Sequence, residues 1–429
     1  MKRTTRLTPA LLLVVPVCIA FAASVAPAPR AGGEDALKPA DHDSLGKVIA
    51  AFKDASRNNK NVDKARADVA AELDKFRKRL KGRDPLSLTT DLGKALWQSI
   101  NYDTAKNVKK GKVSDVKFKD SDFDLTYATW APPKYEPKKA YPLILCIPDK
   151  GEKPTEHLTE KWIGQEIREN VVLAAVPMPD DVAQWSDPGS KERGWGGAAN
   201  LYTVFREVSL TYGTDFDRVY IAGRGVGVQA ALAIAARSPD RFAGVIGRSG
   251  DVGDTPPENF HNLPTFFAGA GAGATAFGEK ATKAGNDNCT IKPEGTEDDI
   301  WSWMKDHPRI AYPAQVVLLP GTPNPSKAYW LGVKPWDGQG TAIVKGSIDR
   351  ATNAITIDGE GVTGIYLCLN DVLVDLDKPV KVVCNGAEHL EVIPRNLGTF
   401  LDYAMNRSDP GKICVATREF DLPAKPKPK

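Results

Sequence analysis

The chain has 429 residues, 42% hydrophobic and 26% charged, with a formal net charge of +3. That is the composition of an ordinary globular protein, long enough for two or three domains with a sizeable core. Lys2, Arg3 and Arg6 account for the excess charge; without them basic and acidic residues balance, which excludes an electrostatic argument for nucleic acid or anionic membrane as partner.

Those three cations precede an apolar run over residues 11–23, and Ala20-Phe21-Ala22 offers small residues for cleavage. The pattern is that of a secretory signal over residues 1–22, so the chain is expected to be exported to the periplasm, the envelope or the medium. The run is short for a membrane span, with an uncleaved anchor as the alternative. Cys18 lies in this run, but Val15-Pro16-Val17 before it makes a poor lipoprotein signal. Five cysteines remain, at 146, 289, 368, 384 and 414. Their odd count and wide spacing do not form a disulfide framework, and no Cys-x-x-Cys pair offers a metal or redox site. Cys146, Cys368 and Cys414 sit in apolar strand-like runs and read as buried small hydrophobes. An exported location permits one bridge, for instance Cys368 with Cys384.

A Pro/Ala/Gly linker to about residue 33 leads into a helical segment, 34–105. Leu45, Val48, Ile49 and Phe52 mark a first helix, Val69, Leu73, Phe76 and Leu80 a second, and Leu92, Leu96 and Ile100 a third. The second is heavily charged, and fewer than three heptads make packing on a neighbouring helix a better reading than a coiled coil.

From about Lys112 the pattern turns to strands. Residues 113–119 and 123–129 alternate in character, and Tyr141-Pro142-Leu143-Ile144-Leu145-Cys146-Ile147 is continuously apolar, as a strand buried on both faces would be. Further apolar runs at 171–177, 218–222 and 242–247 alternate with helical stretches near 162–168, 201–212 and 229–237. This spacing predicts an α/β fold, a doubly wound and mostly parallel sheet with helices on both faces, over residues 110–325. Between the strand at 218–222 and its helix stands Gly223-Arg224-Gly225-Val226-Gly227. Strand, tight glycine turn, helix is where a serine hydrolase presents Gly-x-Ser-x-Gly. Both flanking glycines are present, and the nucleophile position is Gly225.

These residues carry a resemblance. Tyr141-Pro142-Leu143-Ile144, Asp217-Arg218-Val219-Tyr220-Ile221-Ala222-Gly223 and Ser238-Pro239-Asp240-Arg241-Phe242-Ala243-Gly244 are similar to α/β-hydrolases of the esterase D, feruloyl esterase and prolyl-oligopeptidase type. The resemblance implies ester or peptide hydrolysis by a Ser-Asp/Glu-His triad with an oxyanion hole, without cofactor or metal. Each part is altered here. The oxyanion loop, commonly His-Gly-x-Gly in such relatives, reads Pro148-Asp149-Lys150-Gly151. Proline has no amide hydrogen, and a carboxylate repels a developing oxyanion. The acid expected after the strand 263–267 is replaced by an alanine-glycine run, 268–274. The histidine expected before the helix 299–305 is missing from Lys292-Pro293-Glu294-Gly295-Thr296-Glu297.

Of the five histidines, His42, His157, His307 and His389 fall in other segments, and His261 alone is expected near the site. Four losses together point to abandoned chemistry: removing a triad serine alone costs on the order of 10⁶ in rate, and what remains depends on the oxyanion hole and binding. The residues of the vestigial pocket are then Arg224, Gly225, Val226, Pro148, Asp149 and Ser249, in a pseudoenzyme that binds a small molecule or a protein. The alternatives are an active esterase or peptidase with relocated groups, and a structural envelope protein.

Ser249, in Gly247-Arg248-Ser249-Gly250-Asp251, is the candidate for a relocated nucleophile, but a Pro-rich loop follows it and no helix does. A dinucleotide reading of Gly223-x-Gly225-x-Gly227 fails because position 228 is Val228. Arg224 could hold an acidic ligand or pair with Asp149 or Asp251. Trp185 and Trp195 could line a groove or be buried. Residues 326–422 read as a compact β-rich module with short strands, a hairpin turn at Asn385-Gly386 and a helix over 397–406; it resembles the C-terminal appendage of some exported hydrolases. The Pro/Lys tail, 423–429, is expected to be extended and disordered.

Overall fold

The computed structural model describes residues 36–100, 102, 108–120, 123–192, 194–269, 271–320, 327–334 and 342–425. The expected signal at 1–22, the linker after it, Ala270 and the end of the tail (426–429) lie outside the described residues. Among the described residues no helix is long and apolar enough to cross a membrane.

The chain opens with α1 (Pro39–Arg57), α2 (Val62–Arg79) and α3 (Thr89–Gln98). Leu45, Ile49 and Phe52 fall on one side of α1, and Val69, Leu73 and Phe76 on one side of α2, and all are buried. Gly46 lets α1 come close to α3: a Cβ there would lie 2.8 Å from Gln98 Cβ and 2.9 Å from the Ala95 carbonyl oxygen. His42 on α1 is fixed to Asp91 on α3 at 2.7 Å with both side chains buried, so this histidine is part of the helix packing.

The next part comprises β1 (Ser114–Asp120), β2 (Phe123–Trp130), β3 (Tyr141–Ile147), α4 (Pro154–Lys161), α5 (Gln165–Asn170) and β4 (Val172–Ala175). A two-residue hairpin of β5 (Gly189–Ser190) and β6 (Gly194–Trp195) precedes α6 (Gly197–Thr211), β7 (Thr214–Arg224) and α7 (Gly227–Arg237). Then come β8 (Gly244–Arg248), β9 (Thr265–Ala268), α8 (Ala272–Lys283), β10 (Cys289–Lys292) and α9 (Glu297–Asp306).

The eight-stranded sheet runs β1-β2-β4-β3-β7-β8-β9-β10. β2 is antiparallel to β1 and β4, and every pair from β4 through β3 to β10 is parallel. β3 shows why its sequence is continuously apolar. Leu143, Leu145 and Ile147 enter one core with α6, α7 and α8, while Ile144 and Cys146 enter a second core with α4, α5 and α9. This is a doubly wound sheet, and its strand order and glycine elbow give the domain the α/β-hydrolase fold.

The C-terminal strands are β11 (Gln315–Leu318), β12 (Lys327–Ala328), β13 (Leu331–Val333), β14 (Ile343–Asp349), β15 (Ala354–Glu360), β16 (Gly364–Leu369), β17 (Val380–Cys384) and β18 (Ala387–Glu391); α10 (Leu397–Asn406) and β19 (Ala416–Asp421) complete the region. They form two sheets, β11-β14-β15-β17-β18 and β12-β13-β16-β19. Asn385 and Gly386 both have positive φ between β17 and β18, the backbone a tight hairpin turn requires. β11, which precedes the expected boundary at 325, pairs with β14 in this region and not with the central sheet.

Two findings go beyond the sequence reading. First, the apolar stripes of α1–α3 share one continuous core with both C-terminal sheets. Periodicity marks a stripe but does not say which surface covers it. Second, Cys368 and Cys414 form a disulfide with Cα atoms 5.6 Å apart, whereas Cys384 is buried and unpaired. Cys368 is taken by Cys414, and Cys384 lies on β17 in the other sheet.

Candidate functional site

Along the carboxyl ends of β3, β7 and β8 the elbow keeps its backbone. β7 runs to Arg224, Gly225 turns with φ +54°, and α7 begins at Gly227. A Cβ on Gly223 would collide with the Gly227 backbone, and one on Gly227 would lie 2.8 Å from the carbonyl oxygens of Ile147 and Pro148. Both flanking glycines are therefore dictated by close approach. Gly225 occupies the left-handed region, which strains any other residue by about 1–3 kcal/mol.

The loop after β3 places Asp149 directly over this turn. Its Oδ1 accepts the amide hydrogen of Val226 at 3.1 Å and that of Lys150 at 2.8 Å. A Cβ built on Gly225 falls on the Asp149 carboxyl group itself. In a serine hydrolase the amide after the nucleophile is an oxyanion donor. Here the corresponding amide, Val226 N–H, is bound to a carboxylate of the same chain. Asp149 thus stands where a nucleophile side chain and a substrate oxyanion would otherwise meet.

A polar chain holds Asp149 from behind. Its amide donates to Glu152 Oε2 at 3.0 Å, and the same oxygen lies 2.9 Å from His157 Nδ1. Trp162 Nε1, which can only donate, bonds His157 Nε2 at 3.1 Å. The imidazole therefore carries its proton on Nδ1 and gives it to Glu152. Burial pushes the His157 imidazolium below its ordinary range. Burial would raise Glu152, but the Asp149 amide, His157 and Arg224 outweigh it and hold the carboxyl low. The Arg224 guanidinium lies 3.8 Å from Asp149 Oδ2 and 3.7 Å from Glu152 Oε2.

On the neighbouring strand end, Arg248 covers the Trp162 ring at 4.6 Å and donates to the Lys161 carbonyl. Glu297, at the start of α9, accepts the Gly164 amide at 2.8 Å and lies 3.4 Å from the Arg248 guanidinium. The rim of the site is thereby closed with internal charge pairs.

Ser249 sits at φ +49° one residue after β8, exposed and beside the elbow. The Gly225 amide bonds the Arg248 carbonyl at 3.1 Å, and a Cβ on Gly250 would collide with the Gly225 carbonyl. A turn, not a helix, follows it. At the acid position Gly269 turns with φ +63° and α8 starts at Ala272 without a carboxylate between. At the histidine position Thr296 caps α9 through Asp299, which also pairs with Lys292 at 2.7 Å.

His261 is not at the site. It faces Gln315 and Lys345 of the C-terminal sheet, and burial lowers its pKa. The histidine linked to the elbow is His157. Its signal in the sequence was Glu152, His157 and Trp162 at intervals of five, a spacing that belongs to no regular element. Trp185 is buried with its Nε1 on the Pro179 carbonyl, while Trp195 is exposed and edge-on to Phe123. Among the described residues no cluster of His, Cys, Asp and Glu has the form of a metal site.

No family model matches the chain, and no curated protein matches it in sequence. Similar solved structures include a thermostable esterase, with 17% identity and a TM-score of 0.37 over 46% of this chain and 63% of that one. The chain thus spans less than two thirds of that relative's length. A ferulic acid esterase has 14% identity and a TM-score of 0.36, over 46% of this chain and 95% of its own. An S-formylglutathione hydrolase from Agrobacterium tumefaciens has 15% identity and a TM-score of 0.33, over 45% and 92%. At these values the fold assignment rests on the strand order and the elbow described above.

Proposed function

We propose that this chain is an exported member of the α/β-hydrolase superfamily that has given up hydrolysis and keeps a binding role. The observation that carries the proposal is the Asp149 carboxyl group, bound to the Val226 amide and lying on the position of any side chain at Gly225. A hydrolase that merely lost its serine would keep an open oxyanion hole, the source of much of the residual ~10³–10⁴-fold catalysis. In this chain both the attacking atom and the hole are replaced. The Cys368–Cys414 disulfide supports the exported part of the reading, since such bonds persist in oxidising compartments. The Val226 amide is already engaged, so a ligand in this pocket would be held by groups other than that donor; the alternative occupant is a protein.

The test is labelling of the full chain with a fluorophosphonate serine probe, together with aryl-ester hydrolysis by the chain and by Ser249→Ala. The proposal expects no stoichiometric label and the same background rate for both. Stoichiometric labelling, or a rate that disappears in Ser249→Ala, would overturn it.

One observation favours a second reading. Ser249 is exposed, held at positive φ and adjacent to the elbow, as a relocated nucleophile would be. It has no histidine base beside it, since His157 is occupied at both ring nitrogens. The labelling experiment decides between the two readings.

A further inference from the structure

Away from the elbow, a cavity of about 210 Å³ lies where three parts of the chain meet. The end of α1, one side of α6, the turn after α7 and the end of α10 bound it, and Arg57, Arg206, Arg241 and Arg407 all line it. Four cations around one cavity call for counter-charges, and the chain supplies few. Arg241 lies over the Tyr202 ring at 5.3 Å and has no ion pair or side-chain hydrogen bond among the described residues. Arg407 reaches only Asp240, at 4.0 Å, and Lys412 already binds the same carboxylate oxygen. Asp409, the one carboxylate in the wall, is taken by Arg309 at 2.5 and 2.9 Å. Arg57 and Arg206 pair with Asp54 and Glu207 at the exposed surface, where such pairs are weak.

A second feature points the same way. Tyr202 lines the cavity, and its hydroxyl is buried and has no hydrogen-bond partner among the described residues. Burial lowers the Arg241 pKa and the nearby Arg407 charge lowers it further, whereas burial of Arg407 is outweighed by Asp240, Tyr403 and Asp409. The remaining wall is apolar, with Phe205, Leu210, Phe216 and Met405. Guanidinium groups bind phosphate and carboxylate in a fork, and a cavity of roughly 150 Å³ suffices for a benzene ring.

We propose that this junction binds a small organic anion, a single-ring or short-chain phosphate or carboxylate, with Arg241, Arg407 and the Tyr202 hydroxyl on its anionic group and the apolar wall on its remainder. The pocket shares no residue with the elbow, so it stands whether or not the elbow hydrolyses. Because its walls come from the N-terminal helices, the α/β domain and α10, the ligand would clamp the three together.

The test is calorimetric titration and thermal unfolding of the full chain with phenyl phosphate, benzoate, inorganic phosphate and benzyl alcohol. Saturable binding of phenyl phosphate or benzoate is expected, with a raised unfolding midpoint and at least tenfold weaker binding of inorganic phosphate and benzyl alcohol. Arg241→Gln should weaken the bound anion at least tenfold. Arg57→Gln, at the exposed rim and outside the core, should weaken it severalfold while the unliganded midpoint stays unchanged. No saturable binding of either aromatic anion overturns the proposal, as does binding unaltered in both variants. Equal affinity for benzyl alcohol also overturns it. Tighter phenyl phosphate than benzoate assigns the phosphate class, and the reverse order the carboxylate class.

Discussion

Glycine at position 225 and aspartate at position 149 are two halves of one arrangement. Glycine tolerates the φ of +54° and leaves the space that the Asp149 carboxyl fills. A serine at 225 would meet that carboxyl group. Gly225→Ser is expected to lose about 1–3 kcal/mol by overpacking and to hydrolyse no aryl ester. Adding Asp149→Gly in the same chain should recover part of that stability, because it removes the group the new Cβ strikes. Urea unfolding of both variants with an ester assay checks this. His157 makes a pH prediction at the same scale. Its folded pKa is depressed by burial, so below the ordinary imidazole pKa of about 6.5 the unfolded chain binds the extra proton first. Stability from this group is complete above that pH and falls as pH drops toward the folded value. The wild-type urea midpoint should fall between pH 7.5 and 5.5, and in His157→Gln the part of that fall due to the imidazole should vanish. An identical fall in both would remove His157 from the account.

Among the elements, α10 has the bounds that its apolar spacing predicts, and the hairpin at Asn385-Gly386 forms where its turn residues place it. Both depend on contacts within a few residues, which is why they are legible. The disulfide is the opposite case. Cys368 lies on β16 and Cys414 just before β19, neighbours in the four-stranded sheet but 46 residues apart in the chain. Only the pairing of those strands brings them together. Cys414→Ser is expected to cost about 2–5 kcal/mol, seen as a lower guanidinium midpoint that added reductant does not lower further. The contact of α1 with α3 is equally non-local: Gly46→Ala should destabilise by about 1–3 kcal/mol, because its Cβ meets the Gln98 Cβ and the Ala95 carbonyl oxygen and not the far end of a flexible side chain.

Across the whole molecule, buried charge joins the α/β domain to the C-terminal region. Arg309 bonds Asp409 and lies 3.0 Å from Asp217, and Lys412 bonds Asp240. Burial alone would raise Asp240, yet Lys412, Arg407 and Lys327 around it hold its carboxyl well below the usual range. Removing one partner strands the others. Arg309→Ala is expected to cost about 3–5 kcal/mol, whereas Arg309→Met, which keeps much of the packed volume, should cost less than that. Two resolved transitions in urea for Arg309→Ala would show that this residue couples the two parts, and a single transition at the wild-type midpoint would remove it from that role.

The sequence by itself determined the doubly wound α/β core, because the apolar runs at 141–147, 219–222 and 242–247 form its central strands and the glycine turn after the second leaves little freedom in how strand meets helix. It also placed glycine at 225, no carboxylate over 268–274 and no histidine over 292–297, since an absent side chain needs no coordinates to be recognised. Tertiary structure decided what surrounds the elbow. That Asp149 binds the Val226 amide, that His157 and not His261 backs the elbow, and that four arginines share one cavity depend on which loops and helix ends meet across long stretches of chain. Periodicity and spacing report the face a residue occupies within its own element; the partner on the other side is selected by packing, which only the folded chain specifies.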